Sequence, residues 1–173
     1  MKTSFENGYA LVDGVKMHAE NHDHFHIPHE LLKKYIVAGF YVELRVDSPR
    51  FSVHPDAPDQ CPCSICKGDA SKPIISHHHP RSLVDLPKNE IPSRGWGEDF
   101  WVAVIARDGN RFTGRIDNEL YESRLHGLSF NDTLEFQADH ILAVHPFHRH
   151  DLVRSMKPAE VKVFAAWLGE QQR

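Results

Sequence analysis

Three cysteines within six residues are the part of this chain best suited to chemistry. Cys61, Cys63 and Cys66 are its only cysteines, and they lie in the run Cys-Pro-Cys-Ser-Ile-Cys-Lys-Gly. A Cys-x-Cys pair is too close in sequence for a relaxed disulfide, and three thiols leave one unpaired. Structural zinc, by contrast, takes four tetrahedral thiolate or imidazole ligands. The spacing therefore predicts a structural zinc site with three ligands from one short segment.

The fourth zinc ligand is expected to be a histidine close to the cysteines in sequence. The chain has 14 histidines, and three of them form the run His77-His78-His79. Imidazole nitrogen completes many zinc sites of the Cys₃His type. We expect His77 or His79 to bind, with His78 and then His54 as further candidates.

A thiol redox sensor is an alternative use of the same cysteines. Cys63 and Cys66 form a Cys-x-x-Cys pair. In thioredoxin-like motifs such a pair begins a helix, whose N-terminus lowers the thiol pKa. Lys67-Gly68-Asp69 is a poor helix start, so the sequence favours the zinc site over the redox sensor.

Two further histidine clusters suggest an alternative metal site. Side chains alternate along an extended segment, so three of these histidines would share one face, and two near the last strand could join them. The residues of this alternative site are His22, His24, His26, His145 and His148. A metal there would activate water for hydrolysis, with Asp23 or Glu30 as base. No His-Glu-x-x-His signature accompanies the clusters, and we favour surface histidines without a ligand role.

Composition and charge exclude several classes of protein. The 173 residues are 40% hydrophobic, which suits a globular domain, and the net charge of −4 provides no basic surface for nucleic acid. The chain has no apolar run of about 18 residues and no secretory leader pattern. We therefore expect a cytoplasmic protein that binds neither membranes nor nucleic acid in general.

A proline-rich middle segment divides the chain. Eight of the 11 prolines fall at 49–95, which excludes long regular structure there. The prediction is a polar lead-in over 1–24, a β-rich domain over 25–154 that contains this insertion, and a C-terminal helix over 155–173 docked on the domain. An ordered connection of this length needs a stabilising cross-link, and the bound zinc would supply it.

Hydrophobic periodicity outside the insertion predicts an α+β fold. A short helix should follow Pro28 and end before Gly39. Ser155 is placed to cap the C-terminal helix. The predicted strands are 40–47, 100–105, 111–116, 133–136 and 140–144, with a turn at Asp108-Gly109-Asn110 between the second and third. Such short strands favour a small, strongly bent antiparallel sheet or barrel.

Several short motifs resemble a family of small bacterial domains known as domain of unknown function 2314. The matching segments are 25–28, 39–44, 98–104, 112–118, 130–136 and 139–141. They cover about half the chain, in two blocks on either side of the insertion. The resemblance implies an SH3-like β-rich fold with no established activity. The chain departs from the family pattern at Asn131, where a glycine is usual, and by its insertion.

The sequence therefore predicts a non-enzymatic, zinc-containing binding or regulatory module. A segment stiffened by prolines and a metal loses little entropy on meeting a partner, so the insertion is the expected contact surface. The expected partner is another protein. A metal-dependent hydrolase at the histidine clusters and a thiol redox sensor are the alternatives.

Overall fold

A six-stranded antiparallel sheet forms the centre of the fold. The computed structural model describes residues 2, 4–21, 25–48, 97–121 and 123–170. The strands are β1 (Ala10–Leu11), β2 (Tyr41–Asp47), β3 (Glu98–Asp108), β4 (Arg111–Ile116), β5 (Thr133–Gln137) and β6 (Ala143–Val144). They are paired in the order β1-β2-β3-β4-β5, and β6 pairs with β2 beyond the end of β1.

The N-terminal segment nearly closes this sheet into a barrel. Near its beginning, the Lys2 N–H donates to the Thr133 carbonyl of β5 at 2.8 Å. A few residues later Leu11 pairs with Val46 of β2, at the other side of the sheet. The predicted α+β class and barrel-like bend are thus confirmed. The lead-in predicted over 1–24 contributes to the barrel itself.

Buried residues alternate with less buried ones along β2, β4, β5 and the first half of β3, and the buried set forms the core. Phe112 on β4 and Phe136 on β5 stack with ring centroids 5.3 Å apart. Gly114 lies on β4, the strand that pairs with β3. A Cβ on this residue would collide with Val102 and approach Phe136 to 3.0 Å, so the sheet requires glycine there. The fully buried aliphatic and aromatic residues include Ile36, Val42, Leu44, Val46, Phe100, Val102, Ile116, Leu128, Leu134 and Ile141.

Besides the sheet, the described residues form five α-helices. They are α1 (Gly14–Asn21), α2 (Glu30–Lys34), α3 (Ser123–His126), α4 (Arg149–Ser155) and α5 (Pro158–Glu170). The predicted N-terminal helix is α2, and Gly39 follows it with φ of 91°, a conformation that favours glycine. The strand predicted over 140–144 is shortened to β6, because a 3₁₀ turn at Ala138–His140 comes first.

The C-terminal helix α5 docks on α2, but it is not capped as the sequence suggests. Ser155 ends α4, and its hydroxyl donates to the Asp151 carbonyl at 2.8 Å. Glu160 instead accepts a hydrogen bond from the Lys157 N–H at 2.8 Å, and so provides an acceptor for a backbone donor at the start of α5. Glu160 also accepts from Lys34 at 2.6 Å and from the Tyr35 hydroxyl at 2.5 Å.

These hydrogen bonds stabilise the charged form of Glu160. The bond from Lys34, then those from Tyr35 and the Lys157 N–H, lowers the pKa of this carboxyl to about 2. Beside this network, the His29 ring packs edge-on against Trp167, with centroids 5.2 Å apart. The docked face of α5 is therefore partly polar. Among the described residues no helix has the length and apolar character needed to cross a membrane.

Candidate functional site

The insertion leaves the barrel between two paired strand ends. The residues predicted to hold zinc, namely Cys61, Cys63, Cys66, His77 and His79, lie outside the described residues. What the structure describes is the base of the insertion. There Val46 of β2 pairs with Glu98 of β3, and the register continues without interruption toward Ala103. The insertion therefore connects two antiparallel strands, β2 and β3, that are neighbours in the sheet.

An ion pair spans the two strands at this base. Arg45 Nη1 lies 2.9 Å from Asp99 Oδ1 and 3.1 Å from Oδ2. The guanidinium covers Gly97 so closely that any Cβ there would collide with it. Glu43, on the same face of β2, has a pKa raised by burial and by the Asp99 charge. The base thus combines a close-packed backbone with charged groups.

A buried imidazole–carboxylate pair fixes the first residue of β3. His126 Nδ1 accepts the Leu128 N–H at 3.1 Å, so the ring proton lies on Nε2 and is donated to Glu98 Oε2 at 3.0 Å. Glu98 also accepts the Tyr121 N–H. The imidazole is fully buried, while the carboxylate is mostly buried. The pair connects the insertion base to α3.

Removing this imidazole should destabilise the barrel strongly. His126→Ala removes the acceptor of the Leu128 N–H, removes one of the hydrogen-bond partners of Glu98 and leaves a cavity in place of a buried ring, and we expect a loss of about 3 kcal/mol. The unfolding free energy from urea denaturation measures it. His150→Ala, at an exposed position, should change that free energy by less than about 0.5 kcal/mol. If the two substitutions changed the free energy of unfolding equally, the stabilising role of the buried His126 imidazole would be contradicted.

Two histidines of the alternative metal site lie together in an aromatic cluster. His148 stacks on Phe40 with centroids 4.2 Å apart, and its Nε2 accepts the Tyr41 N–H at 3.0 Å. This places the ring proton of neutral His148 on Nδ1 and engages the Nε2 lone pair with the backbone. Burial and the nearby His145 lower the His148 pKa. The His145 ring packs on Trp101 at 5.1 Å.

The remaining members of the alternative site do not complete it within the described chain. His26 is exposed, and His22 and His24 lie outside the described residues. Across the described ranges, no three histidine, cysteine or acidic side chains are grouped so that they could hold a metal ion. The alternative site therefore stays a prediction.

A cavity beside α2 is a site that sequence reasoning missed. Its volume is about 660 Å³, and it lies among α1, α2, the β3–β4 turn and α5. Lys33, which lines it, is only 5% exposed. Burial lowers the Lys33 pKa, an effect partly opposed by Asp139, Glu30 and Asp13. No sequence signal marks this lysine, because charged residues between apolar helix positions normally face solvent.

One wall of this cavity is held by an arginine. Arg107 Nη1 donates to the carbonyls of Lys33, Lys34 and Ile36 at 3.1, 2.6 and 2.9 Å. Its guanidinium carbon also lies 4.8 Å from the centre of the Phe112 ring. These bonds satisfy the carbonyls at the end of α2 and fix the position of Lys33 against the barrel.

Comparisons of this chain with protein-family models, with curated proteins and with solved structures find no match.

Proposed function

We propose that this chain is a non-enzymatic binding or regulatory module, in which the barrel presents a zinc-containing insertion to a protein partner. Cys61, Cys63 and Cys66 hold the zinc, and His77 or His79 completes its ligands. The zinc has a structural role: it restricts the insertion, which then loses little entropy when a partner binds.

The observation that carries the proposal is the register at the base of the insertion. β2 and β3 remain paired to Val46 and Glu98, so the barrel hydrogen bonds extend to the point where the insertion departs. The Arg45–Asp99 ion pair and the buried Glu98–His126 pair hold both strand ends. The barrel therefore has its own hydrophobic core, and these two pairs connect its strand ends at the base of the insertion. We infer that the insertion is used for binding and is not required for this core.

The SH3-like relationship is part of the same proposal. A nearly closed barrel-like sheet supports it. Asn131 also supports it. The resembled family has glycine at this position, and the Asn131 φ of 69° lies in the left-handed region that glycine favours. Asparagine tolerates that region better than most other residues, so the substitution is a sterically mild departure.

Metal analysis of matched variants tests the zinc assignment. We expect one tightly held zinc per chain, lost in Cys63→Ser because a tetrahedral site with three ligands holds the ion far more weakly. His24→Ala should keep the zinc, since this histidine belongs to the alternative site. Elemental analysis after dialysis against metal-free buffer gives the zinc-to-protein ratio of each variant.

The competing functions predict different outcomes of the same analysis. A metal lost on His24→Ala, together with turnover of a generic phosphoester or amide, would identify a hydrolase. Metal-free protein in which Cys63 and Cys66 oxidise reversibly would identify a redox sensor. Either result contradicts the structural zinc module.

A further inference from the structure

The cavity beside α2 has the size and lining of a small-molecule site. Its volume of about 660 Å³ lies within the range of roughly 300–1,000 Å³ typical of ligand pockets. Apolar side chains supply much of the wall, and a few charged groups converge on it. The apolar part consists of Val15, Ile27, Pro28, Leu31, Ala138, Ala159 and Val163.

Lys33 is the unusual group in this lining. The residue is 5% exposed, no described side chain or carbonyl accepts a hydrogen bond from its ammonium group, and Nζ itself is not fully enclosed. Its neighbour Lys34 has such a partner, because it lies 2.6 Å from Glu160. A nearly buried lysine is normally paired with an acid. Burial without a partner favours the neutral amine, which is a nucleophile.

The charges of the cavity indicate which ligand would suit it. Glu30, Asp139 and Glu160 all line the space, and Glu160 is already bound to Lys34. Lys33, Lys34 and Arg107 line it as well, so the acidic and basic groups balance and leave no excess charge to hold an anionic or a cationic ligand. The apolar wall favours a ligand with a hydrocarbon body. A neutral molecule with one electrophilic carbon fits both conditions and the nucleophilic amine.

We propose that this cavity binds a neutral aldehyde or ketone with an apolar body, and that Lys33 Nζ captures its carbonyl carbon as an imine. The nitrogen lone pair forms a C–N bond while the carbonyl oxygen gains a proton, which gives a carbinolamine. The C–O bond then breaks, one water molecule leaves, and the nitrogen loses its remaining proton. Nothing is oxidised or reduced. Asp139 and Glu30 are the cavity carboxylates whose charges act on Lys33, and they can relay these protons.

Arg107 acts here as a positioning residue. By binding the Lys33 carbonyl and two others at the end of α2, it fixes the backbone that carries the amine. All the residues of this site belong to the described part of the chain. The inference is therefore independent of the zinc in the insertion.

Reductive trapping on the full-length protein tests the proposal. The protein is incubated with hexanal and sodium cyanoborohydride near neutral pH, and labelled lysines are located by peptide mapping. We expect saturable labelling of Lys33 on the order of tenfold faster than of exposed Lys162, since binding in the cavity raises the effective concentration of the carbonyl. The ketone 2-hexanone should slow the labelling of Lys33, whereas hexanoate should not.

Two variants complete the test. Lys33→Arg should abolish the fast label, and Lys162→Arg should keep it. Val163→Trp, which narrows the cavity and leaves the amine in place, should slow the labelling of Lys33 several-fold; circular dichroism checks that each variant is folded. Equal labelling of Lys33 and the exposed lysines would overturn the proposal. Protection by hexanoate would also overturn it, because the site would then bind a carboxylate.

Discussion

Phe112→Ala is expected to cost about 3–5 kcal/mol of unfolding free energy. The Phe112 ring is fully buried and stacks on Phe136 across the β4–β5 pair. It also supports the Arg107 guanidinium, which holds the end of α2. The substitution therefore leaves a cavity between two strands and loosens the docking of a helix. Since small domains have a total stability of about 5–15 kcal/mol, this loss is a large fraction of it.

Urea denaturation followed by circular dichroism measures this loss. Phe130→Ala is the matched control, because the Phe130 side chain is 44% exposed and its removal should cost less than about 1 kcal/mol. A loss below about 1 kcal/mol for Phe112→Ala would mean that the barrel core does not depend on the β4–β5 stack.

Replacing residues 49–96 by a four-residue turn should leave the barrel folded and more stable. Val46 and Glu98 are paired, and paired Cα atoms in antiparallel strands lie about 4.5–5.5 Å apart, a distance that a short turn spans. Each halving of a flexible loop gains about 0.6 kcal/mol, so this shortening gains up to roughly 2 kcal/mol. A bound zinc would reduce the gain, because it already shortens the effective loop. The shortened chain should bind no zinc.

A second chain isolates the effect of loop length. In it a Gly/Ser linker of the same length replaces residues 49–96, and it should be less stable than the four-residue turn by roughly 2 kcal/mol. Thermal and urea unfolding of both chains give the comparison. If the four-residue chain unfolds or loses several kcal/mol, the insertion contributes to the barrel core and is more than a binding segment.

Local patterns predict the strands of this fold well. The alternation of Val42, Leu44 and Val46 with polar residues marks β2 correctly, and the Asp108-Gly109-Asn110 turn marks the β3–β4 hairpin. Both features depend on neighbours in sequence. Barrel closure does not, since the Lys2–Thr133 hydrogen bond joins segments far apart in the chain. Sequence patterns give only the tendency to bend.

The candidate sites differ in how far they can be predicted. Cysteine spacing carries a direct chemical signal, so the zinc hypothesis arises from the sequence alone. Lys33 has no such signal, because its environment is made by α5 and Arg107, which are distant in sequence and contact the end of α2. Ser155 shows a third case: it has the residue type of a cap, but α4 extends over it and Glu160 satisfies the next helix instead. For Lys33 and for Ser155, contacts between residues far apart in sequence determine the outcome, and local sequence patterns do not reveal them.

The zinc-to-protein ratio of freshly purified chain, measured together with its reactive thiols, tests the central claim most directly. We predict one zinc ion per chain and three thiols that react with a thiol reagent only after a chelator removes the metal. Protein without stoichiometric metal, whose three thiols titrate fully under native conditions, would contradict the zinc-containing module.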